Sequence, residues 1–182
     1  MLTRNVLPVL AALAPLALGG CSSSGGSTSL PIPCPQYGIL ADGADLTVYR
    51  QGAAPDLSSL VSDARITGVN GECRRMRSQQ AIAVTASVSM AVERGPAATA
   101  REVRLPWMIA VTDARTEQVL DRQVYTQVIP FSANVTRSSG QTAAVELVLP
   151  VTEQRRIADY KIWVSFHLSP EQLEFNRRRG PR

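Results

Sequence analysis

From residue 81 to residue 93 the chain reads AIAVTASVSMAVE, and its larger apolar residues fall on every second position. Ile82, Val84, Ala86, Val88, Met90 and Val92 share one parity; Thr85, Ser87, Ser89 and Glu93 lie on the other. A strand sends successive side chains to opposite faces, so this run predicts a strand with one dry face. Its length predicts a bend or bulge within it. Gly95 and Pro96 end it.

The same rule finds further strands. LTVYR (46–50) is a short one. LVSDARITGV (60–69) alternates Leu60, Ala64 and Ile66 against polar neighbours. NGE (70–72) then predicts a turn or bulge, with a possible continuation through Cys73. In 103–113, Leu105, Trp107, Ile109 and Val111 share a face, and Pro106 predicts an edge or a strand start. In 117–131, Leu120, Val124 and Val128 are expected inward, with Tyr125 on the other face. Residues 142–150 present Val145, Leu147 and Leu149; residues 158–168 present Ile162, Val164, Phe166 and Leu168. A turn of helix fits just before the last strand. Seven or eight strands with no long amphipathic helix predict an all-β, antiparallel sandwich.

The segment LVLP…ADYKIWV resembles the corner before strand F of immunoglobulin and fibronectin type III domains. That resemblance implies an immunoglobulin/fibronectin-III-like sandwich in which the Tyr160 hydroxyl bonds back across the corner. An ordinary, partly buried strand tyrosine fits the same residues.

The end of the chain switches to helical signals. Ser169 is placed as N-cap, Pro170 as the first helical residue, and Gln172 completes a capping box. Leu168 and Leu173 are spaced for a hydrophobic staple. Arg177 to Arg179 suit the negative end of the helix dipole, and Gly180 with Pro181 stop the helix. A short helix is therefore predicted at about 170–179, either docked as a terminal cap or offered to a partner.

The first residues follow a third pattern. Arg4 precedes an apolar run from Val6 to Leu18, then Gly19, Gly20 and Cys21. This predicts an export signal over 1–20, because the run is short of the roughly 20 apolar residues a spanning helix needs. LGGC (18–21) resembles the lipobox of bacterial lipoprotein precursors. That resemblance implies cleavage before Cys21, a diacylglycerol on its thiol and an acyl chain such as palmitate on its new amino group. Two or three acyl chains anchor firmly where one binds only marginally. By the same resemblance, Ser22 in place of an aspartate implies the outer membrane, periplasmic side, with the inner membrane as the alternative. Residues 21–33, rich in Ser, Gly and Pro, read as a lipidated tether, leaving 34–182 as the folded domain.

Composition then narrows the chemistry. The chain has 182 residues, 45% of them hydrophobic, which supplies one core. The net charge is +4 at pH 7, and loss of Arg4 with the signal leaves +3. Lys161 is the only lysine. An exported protein rarely meets nucleic acid, so the basic runs Arg74, Arg75, Arg77 and Arg177 to Arg179 read as a solvated face, or as contacts to anionic lipid headgroups or an acidic partner. With Cys21 lipidated, Cys34 and Cys73 remain. In an oxidising compartment an even remainder predicts a disulfide, although two unpaired thiols fit the same count.

No constellation in the sequence points to catalysis or to a metal site. His167 is the only histidine. There is no G-x-S-x-G elbow, no P-loop and no C-x-x-C pair. The expected function is therefore a non-enzymatic outer-membrane lipoprotein, a binding or structural module of the envelope that meets the membrane through its anchor and an envelope protein through its surface. A periplasmic carrier of a lipid or other apolar ligand is the alternative, and an envelope hydrolase stands behind both. No cofactor is expected beyond the acyl chains. Through CPQYGILADGADLTVYRQG, ARITGVNGECRR, ERGP and ADYKIWVSFHLSPEQLEFNR, the chain resembles a family of small lipoproteins of alphaproteobacteria. That resemblance implies an exported, anchored β domain and carries over no catalytic residue.

Overall fold

The computed structural model describes residues 33–77, 80–180 and 182. The expected signal, Cys21 and the tether up to residue 32 lie outside the described residues. Among the described residues no helix is long and apolar enough to cross a membrane.

Among the described residues the chain forms nine strands and one helix. The strands are β1 (Gln36–Ile39), β2 (Asp45–Tyr49), β3 (Leu60–Arg75), β4 (Ala81–Arg94), β5 (Glu102–Asp113), β6 (Val119–Pro130), β7 (Arg137–Gln141), β8 (Val145–Pro150) and β9 (Tyr160–Phe166). The helix, α1 (Pro170–Arg179), follows β9. Two sheets result. One runs β1-β9-β5-β6; the other runs β2-β3-β4-β7, with β8 also paired to β4.

The alternation of β4 organises the core. Ile82, Val84, Ala86, Val88, Met90 and Val92 are all buried. They meet Leu105, Trp107, Ile109 and Val111 of β5, and Ile162, Val164 and Phe166 of β9, in one cluster shared by both sheets. β4 pairs with β3 along almost its whole length, and on its other side with β8 and then with β7. Trp107, 2% exposed, stacks on Tyr125 with ring centroids 5.0 Å apart.

Several sequence expectations need correction. β3 does not turn at NGE; it continues to Arg75, and residues 70–72 pair in register with Ser87, Ala86 and Thr85. The expected bulge falls in β3, between Ile66 and Gly68, and not within β4. There are two strands more than the seven clearest runs, because β1 is too short and β7 too polar to alternate visibly. The sheets are not wholly antiparallel, since β1 runs parallel to β9. Gly38 faces Trp163 in that pairing, and a Cβ there would collide with the indole ring.

Two further differences have a common cause. Pro106 does not mark an edge: β5 lies between β9 and β6. The Pro106 carbonyl accepts the His167 N–H at 2.9 Å, one residue beyond the last β5–β9 pair, Trp107–Phe166. Its missing N–H therefore faces past the end of β9, where no ladder bond is lost. In β6 the inward face carries Tyr125 and Ile129, while Val124 is 47% exposed. Register with β5 decides this, pairing Tyr125 with Trp107 and Ile129 with Val103. β6 sits at a sheet edge, where the rim of the core accepts Gln123 and Gln127 as half-buried neighbours, so its sequence loses the clean alternation.

The orientation of β6 is open to a direct check. Tyr125→Ala, which removes the ring stacked on Trp107, is expected to destabilise the fold by roughly 1–3 kcal/mol, and Val124→Ala by less than about 0.5 kcal/mol. Urea denaturation of both variants measures the difference, and a larger loss for Val124→Ala would reverse the assignment.

Candidate functional site

Three structural fixings hold the ends and the corner of the body. The first lies at the start of the described chain. Cys34 and Cys73 are joined by a disulfide, with Cα atoms 5.7 Å apart and a sequence separation of 39. It ties the segment entering β1 to β3, that is, one sheet to the other. The Tyr37 hydroxyl lies 3.8 Å from Cys73 Sγ, and burial pushes its pKa up.

The second is the corner between β8 and β9. A 3-10 turn over Ile157–Asp159 leads into β9, and the Asp159 carboxylate accepts from the Arg156 N–H at 2.7 Å. Tyr160, the first residue of β9, is buried, and its hydroxyl donates to the Pro150 carbonyl at the end of β8, 2.6 Å away. Burial raises the Tyr160 pKa, against the nearby Arg155. Arg155 stacks over the same ring.

The third is the C-terminal clamp. The Ser169 side chain accepts the Gln172 N–H at 3.3 Å and the Gln172 side chain accepts the Ser169 N–H at 2.9 Å, closing the capping box that starts α1. On the inner face of α1, the buried Asn176 amide donates to the carbonyls of Asp42 and Asp45, each at 2.8 Å. Phe175 packs edge-on against Tyr49 of β2. The Asp45 carboxylate, in a residue 3% exposed, receives Arg65 at 2.9 Å, Arg179 at 3.0 Å and Arg182 at 2.8 Å. Burial by itself would raise its pKa, but the hydrogen bonds from Arg182 and Arg65 outweigh this and hold it below the usual carboxylate range. Arg182 also reaches Asp63 at 2.6 Å. These pairings were not visible in the sequence, because Asp45 and Arg182 stand 137 residues apart.

The main-chain edge of β6 differs from these closed arrangements. Since the Pro106 carbonyl points to β9, the alternation along β5 turns Leu105, Trp107, Ile109 and Val111 toward β6. Register places Gln127, Tyr125, Gln123 and Asp121 opposite them. The N–H and C=O groups of Arg122, Val124, Thr126 and Val128 consequently point away from the sheet. Side-chain contacts agree: the Val128 carbonyl accepts Gln127 Nε2 and the Pro130 carbonyl accepts Ser138 Oγ, both at 3.0 Å. The Arg122 N–H donates to Asp121 Oδ1 at 2.8 Å, and Val124 and Thr126 have no main-chain partner on this side among the described residues. From Gln123 to Pro130 the strand has no charge, and no proline before its last residue.

The other edges are short or covered. β1 has four residues, β2 lies beside α1, and β7 and β8 divide one side of β4 between them. Thr142 marks the division, its Oγ1 accepting the Val88 N–H at 3.1 Å.

The clefts are open to solvent. One of about 730 Å3 lies between β6 and β8, with Leu120, Leu147, Leu149 and Tyr160 within it and Arg115, Asp121, Gln154 and Arg155 at its lining. A second, of about 600 Å3, lies beside α1 and includes Met108, Phe166, His167, Leu168 and Leu173. His167 is exposed there. Among the described residues, no three His, Cys, Asp or Glu side chains are grouped so as to hold a metal ion.

Two tests follow from the fixings. Cys73→Ser releases a loop of 39 residues, and a loss of about 4 kcal/mol in unfolding free energy is expected; an unchanged urea midpoint would contradict it. The lowered Asp45 pKa gives stability that is complete above the unfolded value of about 3.9 and lost as pH falls through the folded value. The melting temperature should therefore drop below about pH 4, with part of that acid slope missing in Asp45→Asn. An identical slope in the variant would remove Asp45 from the account. No family model, no curated protein and no solved structure matches this chain.

Proposed function

We propose that this protein is a non-enzymatic lipoprotein of the cell envelope, anchored through Cys21 to the periplasmic side of the outer membrane, whose folded domain binds an extended segment of an envelope protein along β6. The observation that carries the binding reading is the free edge of β6. Unpaired N–H and C=O groups on a strand are a template for another strand. Exported domains commonly blunt such edges with charge, proline or short length, and β6 has none of these devices between Gln123 and Ile129. Main-chain bonds would supply affinity, and the alternating side chains Arg122, Val124, Thr126 and Val128 would read the partner.

The domain is read as an immunoglobulin-like sandwich. Strand interleaving supports this: β4 and β8 pair in one sheet, β5 and β9 in the other, and the chain crosses between sheets after β1, β4, β6 and β8. In that plan β9 takes the place of strand F, and the Tyr160–Pro150 bond matches its tyrosine corner. The parallel β1 stands where a final strand G would lie.

The carrier reading has the cleft between β6 and β8 in its favour. Against it, the space between the sheets is filled by Trp107, Met90, Ile162 and Phe166, all buried, and the cleft lining mixes charged groups with apolar ones.

The edge reading is tested in cells. A photo-reactive side chain at Thr126 should capture a protein partner, and Thr126→Pro, which removes one free N–H, should weaken that capture at least ten-fold when probed from position 124. Melting of purified Thr126→Pro checks that the fold persists. Undiminished capture by a folded Thr126→Pro would exclude β6 as the docking edge.

A further inference from the structure

The point at which the chain enters its folded body has a definite place. Gln36 of β1 pairs with Lys161 at the start of β9, and Cys34 is bonded to Cys73 near the end of β3. The β3–β4 hairpin tip, the β8–β9 corner and the β5–β6 turn lie at the same pole, because Ala81 pairs with Pro150 and Asp113 with Tyr160. The helix α1 lies at the other pole, beside β2 and the Leu60 end of β3.

Cationic groups surround the entry. Arg75 shares a strand face with Cys73, two residues on, and Arg77 follows in the turn; both are exposed. Among the described residues neither has an acidic partner. Lys161 rests over the Trp163 ring, 4.1 Å from its centroid, and also lacks a carboxylate. Arg74 differs, being paired with Glu146 at 2.7 Å. Glu72 lies on the opposite face of β3 from Arg75. Glu117 and Glu153 are exposed at the same pole, on the β5–β6 turn and on the β8–β9 corner, which touches the hairpin tip where the Val151 N–H donates to the Gln80 carbonyl.

We infer that this entry pole is a contact surface for anionic lipid headgroups, with Arg75, Arg77 and Lys161 meeting their phosphates while α1 and its pole face away. This rests on the lipid-anchor reading. Its physical basis is reach. Twelve residues lie between Cys21 and Cys34, so the entry pole is the part of the body joined to the anchor by the shortest length of chain. The 14 residues of β4 extend about 46 Å. The far pole is set back from that junction by about the length of β4. Attraction to an anionic surface acts within about a Debye length, roughly 8–10 Å, so only the near pole's charges feel it.

The test uses the full chain in its membrane. A photo-reactive side chain is placed at Gln80 on the hairpin tip and, separately, at Glu174 on the outer face of α1; both positions are exposed. Lipid adducts are expected from position 80 and not from 174. Each of Arg75→Gln and Arg77→Gln should lower the adduct yield about five-fold in vesicles containing phosphatidylglycerol and leave it unchanged in phosphatidylcholine alone. Equal lipid yields at 80 and 174, or adducts at 80 only to protein or glycan, would overturn the inference. Mass analysis of the mature N-terminus separates the two ideas: an acylated Cys21 without lipid adducts at 80 overturns the contact surface alone, whereas an unmodified Cys21 overturns the anchor and this orientation together.

Discussion

Six successive inward positions of β4, from Ile82 to Val92, are withdrawn from water at once. A slip of one residue in the pairing of β4 would turn all six outward and bring Thr85, Ser87, Ser89 and Glu93 in. At roughly 1.5–3 kcal/mol for each large apolar side chain, the wrong register is prohibitive. β4 therefore fixes the register of β3 on one side and of β8 and β7 on the other, and its buried face gives β5 and β9 a surface to pack on. The bulge in β3 has its meaning here: the extra residue between Ile66 and Gly68 lets both halves of β3 keep their apolar positions against β4.

Where a strand is buried on one face, its alternation was readable. β4, β5, β8 and β9 follow it, and so does the capping box of α1, since Ser169, Pro170 and Gln172 act on their own local backbone. β6 departs from its sequence pattern because it lies at a rim. Its inward positions include Gln123 and Gln127 and its outward ones include Val124, so composition alone points the wrong way. β1 is illegible in the sequence for a different reason. Four residues carry no period, and their position depends on a parallel partner more than 120 residues later. Asp45 and its three arginines were equally illegible, because ion pairs between distant residues leave no spacing to read.

The two ends of the body are fixed by different physics. At the α1 end, one buried carboxylate gathers arginines from β3 and from the C-terminal residues, with Asn176 satisfying two carbonyls beneath the helix. A carboxylate so surrounded is costly to expose alone, because its partners would be left as unbalanced charge. At the entry end, a covalent bond and the Tyr160 hydroxyl do the corresponding work, beside the Asp113 and Asp159 carboxylates, which pair with Arg155 and Arg156. The edge of β6, between these ends, is the long stretch of strand that no such device closes.

The placing of β1 has a consequence for the order in which the fold can be completed. A chain that crosses a membrane N-terminus first presents Cys34 long before β9, and β1 has no ladder partner until Tyr160 to Phe166 arrive. The hairpin of β3 and β4 is local and can form early, carrying Cys73 with it. If Cys21 is already acylated, Cys34 and Cys73 are the next thiols to emerge and belong to each other, so oxidation in order of appearance gives the native bridge without reshuffling. The first strand is thus tethered beside its future place and waits there, and the sheet closes only when the last strand slides in against it.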